Sequence, residues 1–219
     1  MPQLENQVVL ITGAAGEIGS SIAKLFAAEG AAVALLDRAD SNLGALALEI
    51  EAIGARVSVH PTDITDSHEV ARAVAGTLEA HGKISSLVNA GGIWHGGKVD
   101  EISEADFDAM IALNLKGVWL AIRHCLPHLR ESKNASIINL SGGGASVGSS
   151  SSMTLALAKE LRLDGIRVNE IALGQADAGL QADQVAQAAL LCSSQGSLVT
   201  GTVLLLDAGF DTGDRKSVV

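Results

Sequence analysis

Apolar positions fall into two kinds of segment that alternate along the chain. Short apolar runs occupy residues 8–11, 32–36, 56–59, 84–88, 136–140, 166–172 and 202–206. Most are rich in Val, Ile, Leu and Ala and end on Gly, Asp, Asn or Ser, which predicts strands buried on both faces. Between them the apolar residues recur at helical spacing. Ile18, Ile22, Leu25 and Phe26 share one face of a helix that opens after a glycine-rich turn. Further helices are predicted over 41–53, closed by Gly54, and from Asp66 or Ser67 to His81. Others follow over 103–130 with Pro127 near the end, 153–163 and 182–192. Strand and helix alternate to the end, as in a parallel sheet of β-α-β units. The Gly/Ser-rich stretch 141–152 predicts a loop. No repeat or linker divides the chain, so 1–210 is expected to be one domain and 211–219 a frayed polar tail.

Composition narrows the function. A length of 219 residues suits one α/β domain with a buried core. The formal charge of −10 argues against nucleic acid and against an anionic membrane surface as partners. No apolar run is expected to span a bilayer, and the N-terminus lacks the pattern of a signal peptide. Cys125 and Cys192 lie far apart within helix-like patterns, so core thiols in a reducing, cytoplasmic setting are expected rather than a disulfide. The His residues show no metal-ligand spacing, so no metal is expected. The chain has no tyrosine.

The candidate chemistry starts at Thr12-Gly13-Ala14-Ala15-Gly16-Glu17-Ile18-Gly19, between the first strand and the first helix. Glycine at 13 and 16 lets backbone approach a diphosphate, and Gly19 lets the helix pack close to the strand. The helix N-terminus offers free N–H groups and a partial positive charge to phosphate. Asp37 ends the second strand about twenty residues further on, where an acid binds a ribose diol. Each feature alone also fits a ligand-free turn or a solvated acid. His95, a lone loop histidine, fits a solvated position, and the hydroxyls of Ser146 and Ser149 to Ser152, which have no evident base, fit a flexible linker.

In this order the landmarks resemble the short-chain dehydrogenase/reductase family over residues 4 to 210. The markers are the glycine turn read as Thr-Gly-x-x-x-Gly-x-Gly, Asp37, Asp63, Val88-Asn89-Ala90-Gly91-Gly92, and Asn114 in Leu113-Asn114-Leu115-Lys116-Gly117. They continue with Ile137-Ile138-Asn139-Leu140-Ser141, Gly165-Ile166-Arg167-Val168-Asn169, and Val199-Thr200-Gly201 with Leu204, Asp207 and Gly209. With Gly13 and Gly16 three apart, the turn reads as one residue shorter than the family's. The resemblance implies a Rossmann-type doubly wound parallel sheet of about seven strands in the order 3-2-1-4-5-6-7, with helices on both faces.

It also implies a cofactor site. Gly13, Gly16, Glu17, Ile18 and Gly19 would hold the diphosphate, and Asp37 the adenosine ribose. That acid favours NAD and makes NADP less suited, although the adjacent Arg38 softens the preference. Asp63 and Ile64 would contact adenine, and Asn89, Ala90 and Gly91 the ribose. The implied activity is hydride exchange between NAD and an alcohol or ketone in a homo-oligomer, a dimer or tetramer. The family moves the proton with a Tyr and a Lys four residues later, aided by a Ser after the fifth strand and an Asn. Asn114 matches the Asn. Ser141 falls one residue before the Ser position, which is Gly142. An ungapped threading puts Leu155 and Lys159 at the Tyr and Lys positions. Threading back from Gly165 makes Lys159 a surface residue and leaves about three helical turns missing. Residues 175–181 are most of what stands for the family's substrate loop. Three readings follow: an NAD-dependent oxidoreductase with doubtful turnover, a silent NAD-binding or scaffold protein, and a shortened form of an active enzyme.

Overall fold

A computed structural model describes residues 2–95, 98, 100–142, 147–174, 181–190, 193 and 198–206, with backbone alone at 147–150. Ser146, Cys192, Asp207, Gly209, residues 175–180 and the tail 211–219, all singled out in the sequence, lie outside the described residues. The strands are β1 (Val8–Thr12), β2 (Ala32–Asp37), β3 (Val57–Pro61), β4 (Ser86–Asn89), β5 (Ser136–Gly142), β6 (Arg167–Leu173) and β7 (Val203–Leu206). They form one parallel sheet ordered β3-β2-β1-β4-β5-β6-β7, as the resemblance implied. Pro61 is tolerated because β3 is an edge strand.

Helices cover both faces because the strands alternate apolar side chains on both. On one face α1 (Glu17–Ala28), α2 (Leu43–Ala52) and α7 (Ala182–Leu190) enclose Val9, Ile11, Val33, Leu35, Val88 and Ile138. On the other, α3 (Ser67–His81), α5 (Val118–Leu129) and α6 (Val147–Glu160) cover Leu10, Leu36, Leu87, Ile137 and Val168. Phe26 and Ile22 of α1 are fully buried, each worth about 1.5–3 kcal/mol over the exposed state.

Two elements differ from expectation. The long helix is continuous but contains a π turn, Ala112–Gly117, between α4 (Glu104–Ile111) and α5. Glu104–Leu129 is also apolar enough by length and composition to cross a membrane, which the sequence reading did not anticipate. Here its α5 portion buries Val118, Ala121, Ile122, Cys125 and Leu129 on the sheet side. Second, α6 begins at Val147, so half of the expected Gly/Ser loop is helical. Serine is a middling helix former, and packing of the inner face decides such segments.

The carboxyl half of the sheet carries a row of polar residues where apolar ones are the rule. Thr12 is in register with Asn89, Asn89 with Asn139, and Asn139 with Glu170. By strand alternation all four side chains belong to the face that α6 covers.

Candidate active site

The glycine turn is fixed by backbone packing. Gly13 has φ +64°, and a Cβ there would lie 2.4 Å from the backbone of Gly91. Ends of β1 and β4 thus touch main chain to main chain. A Cβ on Gly19 would lie 2.1 Å from the Gly13 carbonyl, so α1 can start this close to the strand only with glycine there. The restriction at Gly13 therefore comes first from Gly91. Counted from Thr12 to Gly19, the turn has the full eight residues of the family pattern. The loop is not shortened: Glu17 stands where the pattern has its middle glycine.

Gly16 caps α1 without a side-chain hydrogen bond, and the first i to i−4 bond is Ser20 N–H to the Gly16 carbonyl. The N–H groups of Glu17, Ile18 and Gly19 therefore precede the helical ladder. Such a terminus is suited to an anion, which the helix dipole also favours. Glu17 places an exposed carboxylate in that same first turn.

Asp37 is joined to this turn. Its Oδ2 accepts the Ala15 N–H at 2.9 Å and its Oδ1 the Arg38 N–H at 2.8 Å. The carboxylate thus ties the end of β2 to the glycine turn. Arg38 is occupied with Asp40, at 3.1 Å. Asp63 uses Oδ1 to accept both the N–H (2.8 Å) and hydroxyl (2.7 Å) of Thr65, a turn before α3. Ile64 is buried, its Cδ1 close to both Gly91 and Gly117.

Asn89, Ala90 and Gly91 leave β4 directly beside Gly13. The Ala90 N–H donates to the Thr12 carbonyl at 3.2 Å. Asn114 lies in the π turn, a local widening common at functional sites. Its Oδ1 accepts the Ile93 N–H at 2.9 Å and its Nδ2 donates to the Ile93 carbonyl at 2.7 Å. It braces the segment after β4 against the long helix. His95 is half exposed, its Nδ1 4.0 Å from Asp106.

The rim above β5 differs from expectation. Ser141 is buried, and its hydroxyl donates to Glu170 Oε1 at 2.6 Å. Ser151 of α6 donates to the same oxygen at 3.0 Å. Asn89 Nδ2 donates to Asn139 Oδ1 at 2.9 Å, and Asn139 Nδ2 to Thr154 Oγ1 of α6 at 3.0 Å. Ser151 and Thr154, one turn apart, dock α6 on the polar row. Leu155 and Lys159 point outward and are exposed, so the ungapped threading places no lysine inside this rim. Sequence reasoning missed Glu170. The available signal was a charged residue inside an apolar strand, where unpaired acids are rare.

A family model described as short chain dehydrogenase matches residues 7–189. The chain belongs to the short-chain dehydrogenase family. Among similar proteins is 3-oxoacyl-(acyl-carrier-protein) reductase FabG of Thermotoga maritima, 32% identical, covering 94% of this chain and 98% of that protein. The aligned span is 242 positions, more than the 219 residues here, so FabG carries residues with no counterpart in this chain. A dehydrogenase/reductase structure from Sinorhizobium meliloti superposes with a TM-score of 0.86 at 30% identity, covering 94% of this chain and 95% of that one. A metagenomic short-chain oxidoreductase in complex with NADP gives 0.84 at 31% identity, covering 93% and 97%. As a short-chain dehydrogenase, this chain is an oxidoreductase by family, and the family binds NAD(P).

Proposed function

We propose that this short-chain dehydrogenase binds NAD(H) in preference to NADP(H) and exchanges hydride with a small alcohol or carbonyl compound. The observation that carries the preference is the Asp37 carboxylate, held against the glycine turn by the Ala15 N–H. A ribose diol can donate hydrogen bonds to such an acid, whereas a 2′-phosphate would be repelled by it. Two solved neighbours are complexes, one with NADPH and one with NADP, so the preference proposed for this chain rests on its own acid at the end of β2.

The diphosphate is assigned to the amides of the Gly13–Gly19 turn, Glu17 and Ile18 included. The close approach of Gly13 and Gly91 and the side-chain-free cap of α1 fit such a group. Asp63 and Ile64 are assigned to adenine, Asn89, Ala90 and Gly91 to the ribose, and Asn114 to positioning of the segment after β4. A bound nicotinamide supplies the hydride acceptor or donor. The chain itself has to handle the proton, and without tyrosine it does so by another group or turns over poorly. The second reading, a silent NAD-binding protein, is favoured by that same absence. The exposed Phe107, Ile111 and Trp119 along α4 and α5 support a homo-oligomer.

Fluorescence titration of NADH tests binding, and a panel of alcohols and ketones tests turnover. Saturable NADH binding supports the assignment. Absence of binding by a folded sample overturns it, and binding without any product leaves the silent reading.

A further inference from the structure

All seven strands run the same way, so the amino ends of β5, β6 and β7 lie at the sheet edge opposite the glycine turn. A cavity of about 250 Å³ opens there, between the segments that enter these strands. Three cations line it: Lys133 before β5, Arg162 in the 3₁₀ turn after α6, and Arg167, the first residue of β6. Among the described residues no carboxylate lines it. Asp164, two residues from Arg162, is engaged by Arg130 at 2.9 Å. Lys133 and Arg162 pair with no acid among the described residues. Arg167 is held at the cavity wall, its Nη1 donating to the Val199 carbonyl at 3.3 Å. Two polar side chains complete the lining. Thr200 Oγ1 accepts the Val168 N–H at 3.1 Å, so its hydroxyl proton is left to give. The Asn134 side chain has no partner among the described residues and can donate from its amide.

Cations gathered in one cavity repel one another unless an anion sits among them. This chain carries a net charge of −10, so it has acids to spare and yet brings none to this wall. The donors suit phosphate: arginine offers a planar fork to its oxygens, and lysine a compact point charge. The volume lies below the roughly 300–1,000 Å³ of pockets for drug-sized ligands, which points to a small anionic group. We propose that this cavity binds a phosphate dianion, free or carried on a small molecule, at a site separate from the coenzyme. Lys133, Arg162 and Arg167 supply the charge, and Asn134 and Thr200 add neutral donors. The site does not rest on the NAD(H) reading, because the diphosphate assigned there lies at the other edge of the sheet.

Amide NMR of the full chain at low salt tests the proposal, with inorganic phosphate and glycerol 3-phosphate titrated separately. Saturable shifts are expected at Asn134, Gly165 and Thr200, with a Kd of about a millimolar or lower. Chloride at matched ionic strength should give no saturable shift at these amides. A Lys133→Gln, Arg162→Gln double variant should weaken binding about tenfold or more, through loss of two charge-assisted contacts. Lys159→Gln removes an exposed charge on α6 outside the cavity and should leave the affinity within about twofold. Both substituted side chains of the double variant are exposed, and a thermal melt confirms its fold. Should it fail to fold, each single variant carries the same comparison. Tighter binding of glycerol 3-phosphate assigns the site to a phosphorylated compound, and equal or tighter binding of inorganic phosphate assigns it to the free ion. Shifts that only match those of chloride, saturable shifts confined to residues 13–19, or an affinity indifferent to Lys133 and Arg162 overturn the proposal. NADH titrated into the same samples keeps the two readings apart. NADH binding without phosphate shifts at this edge removes this site alone, and phosphate shifts here without NADH binding remove the coenzyme assignment alone.

Discussion

Asp37 joins an observed role to the proposed one: Oδ2 fixes the Ala15 amide, and the same carboxylate is the group proposed to meet a ribose. Asp37→Ala should therefore weaken NADH by about tenfold or more, the loss of one or two charge-assisted hydrogen bonds. Asp37→Asn keeps an acceptor for Ala15 and removes the charge, so it should narrow the gap between NADH and NADPH. Glu17 works in the opposite direction. Its carboxylate complements the α1 dipole but stands in the turn assigned to a diphosphate. Glu17→Gln should lower stability by about 0.3–1 kcal/mol and tighten NADH several-fold, with a gain that shrinks in high salt. Urea unfolding and titrations at two ionic strengths check the pair. Both residues are plain in the sequence. The opposition between them is not, because it depends on counting Glu17 into the place of a glycine.

At the scale of elements, β3 and α3 are joined by a hydroxyl between two imidazoles. Ser58 Oγ lies 2.9 Å from both His60 Nε2 and His81 Nε2. A hydroxyl has one proton to give and two lone pairs, so at least one ring must donate to it. His81 Nδ1 is buried without a partner among the described residues, which is best satisfied if it carries no proton. His81 then donates from Nε2 to Ser58 Oγ, which leaves the Ser58 proton free to be given to His60. Burial lowers the pKa of both rings, and the positive charges of Arg56 and His60 lower that of His81 further. The unfolded chain therefore takes up protons first. Stability is full above the ordinary imidazole range and falls as pH drops through it toward the lower folded values. The urea midpoint should decline between about pH 7 and 5.5, and a His60→Gln, His81→Gln double variant should flatten that decline. Toward the other edge of the same face, Lys159→Ala should leave NADH affinity unchanged, since the side chain is exposed on α6.

Across the whole molecule, the apolar runs and helical spacing made the sheet legible, and the family landmarks supplied its order. Boundaries set by local signals held: Asp66 caps α3 by accepting the His68 and Glu69 N–H groups, as its position before the helix implied. Features created by contact between distant segments were not legible. The meeting of Gly13 and Gly91, the bonds of Asn114 to Ile93 and the Ser141–Glu170 bond join residues far apart in the chain. The helical start of α6 belongs with these, since nothing local in a run of serines requires a helix. Cys125 was read as a core thiol. It is fully buried, which pushes its pKa up to about 12. Its peptide should stay unalkylated at neutral pH until the fold opens, as mass spectrometry after timed iodoacetamide treatment would show.

Calorimetric titration of wild-type protein and Asp37→Ala with NADH and with NADPH tests the central assignment most directly. Binding of NADH more tightly than NADPH, with about a tenfold or greater loss of NADH affinity in the variant, is the predicted result. No heat from either nucleotide with a folded sample, or equal affinity for both that ignores the substitution, would contradict it.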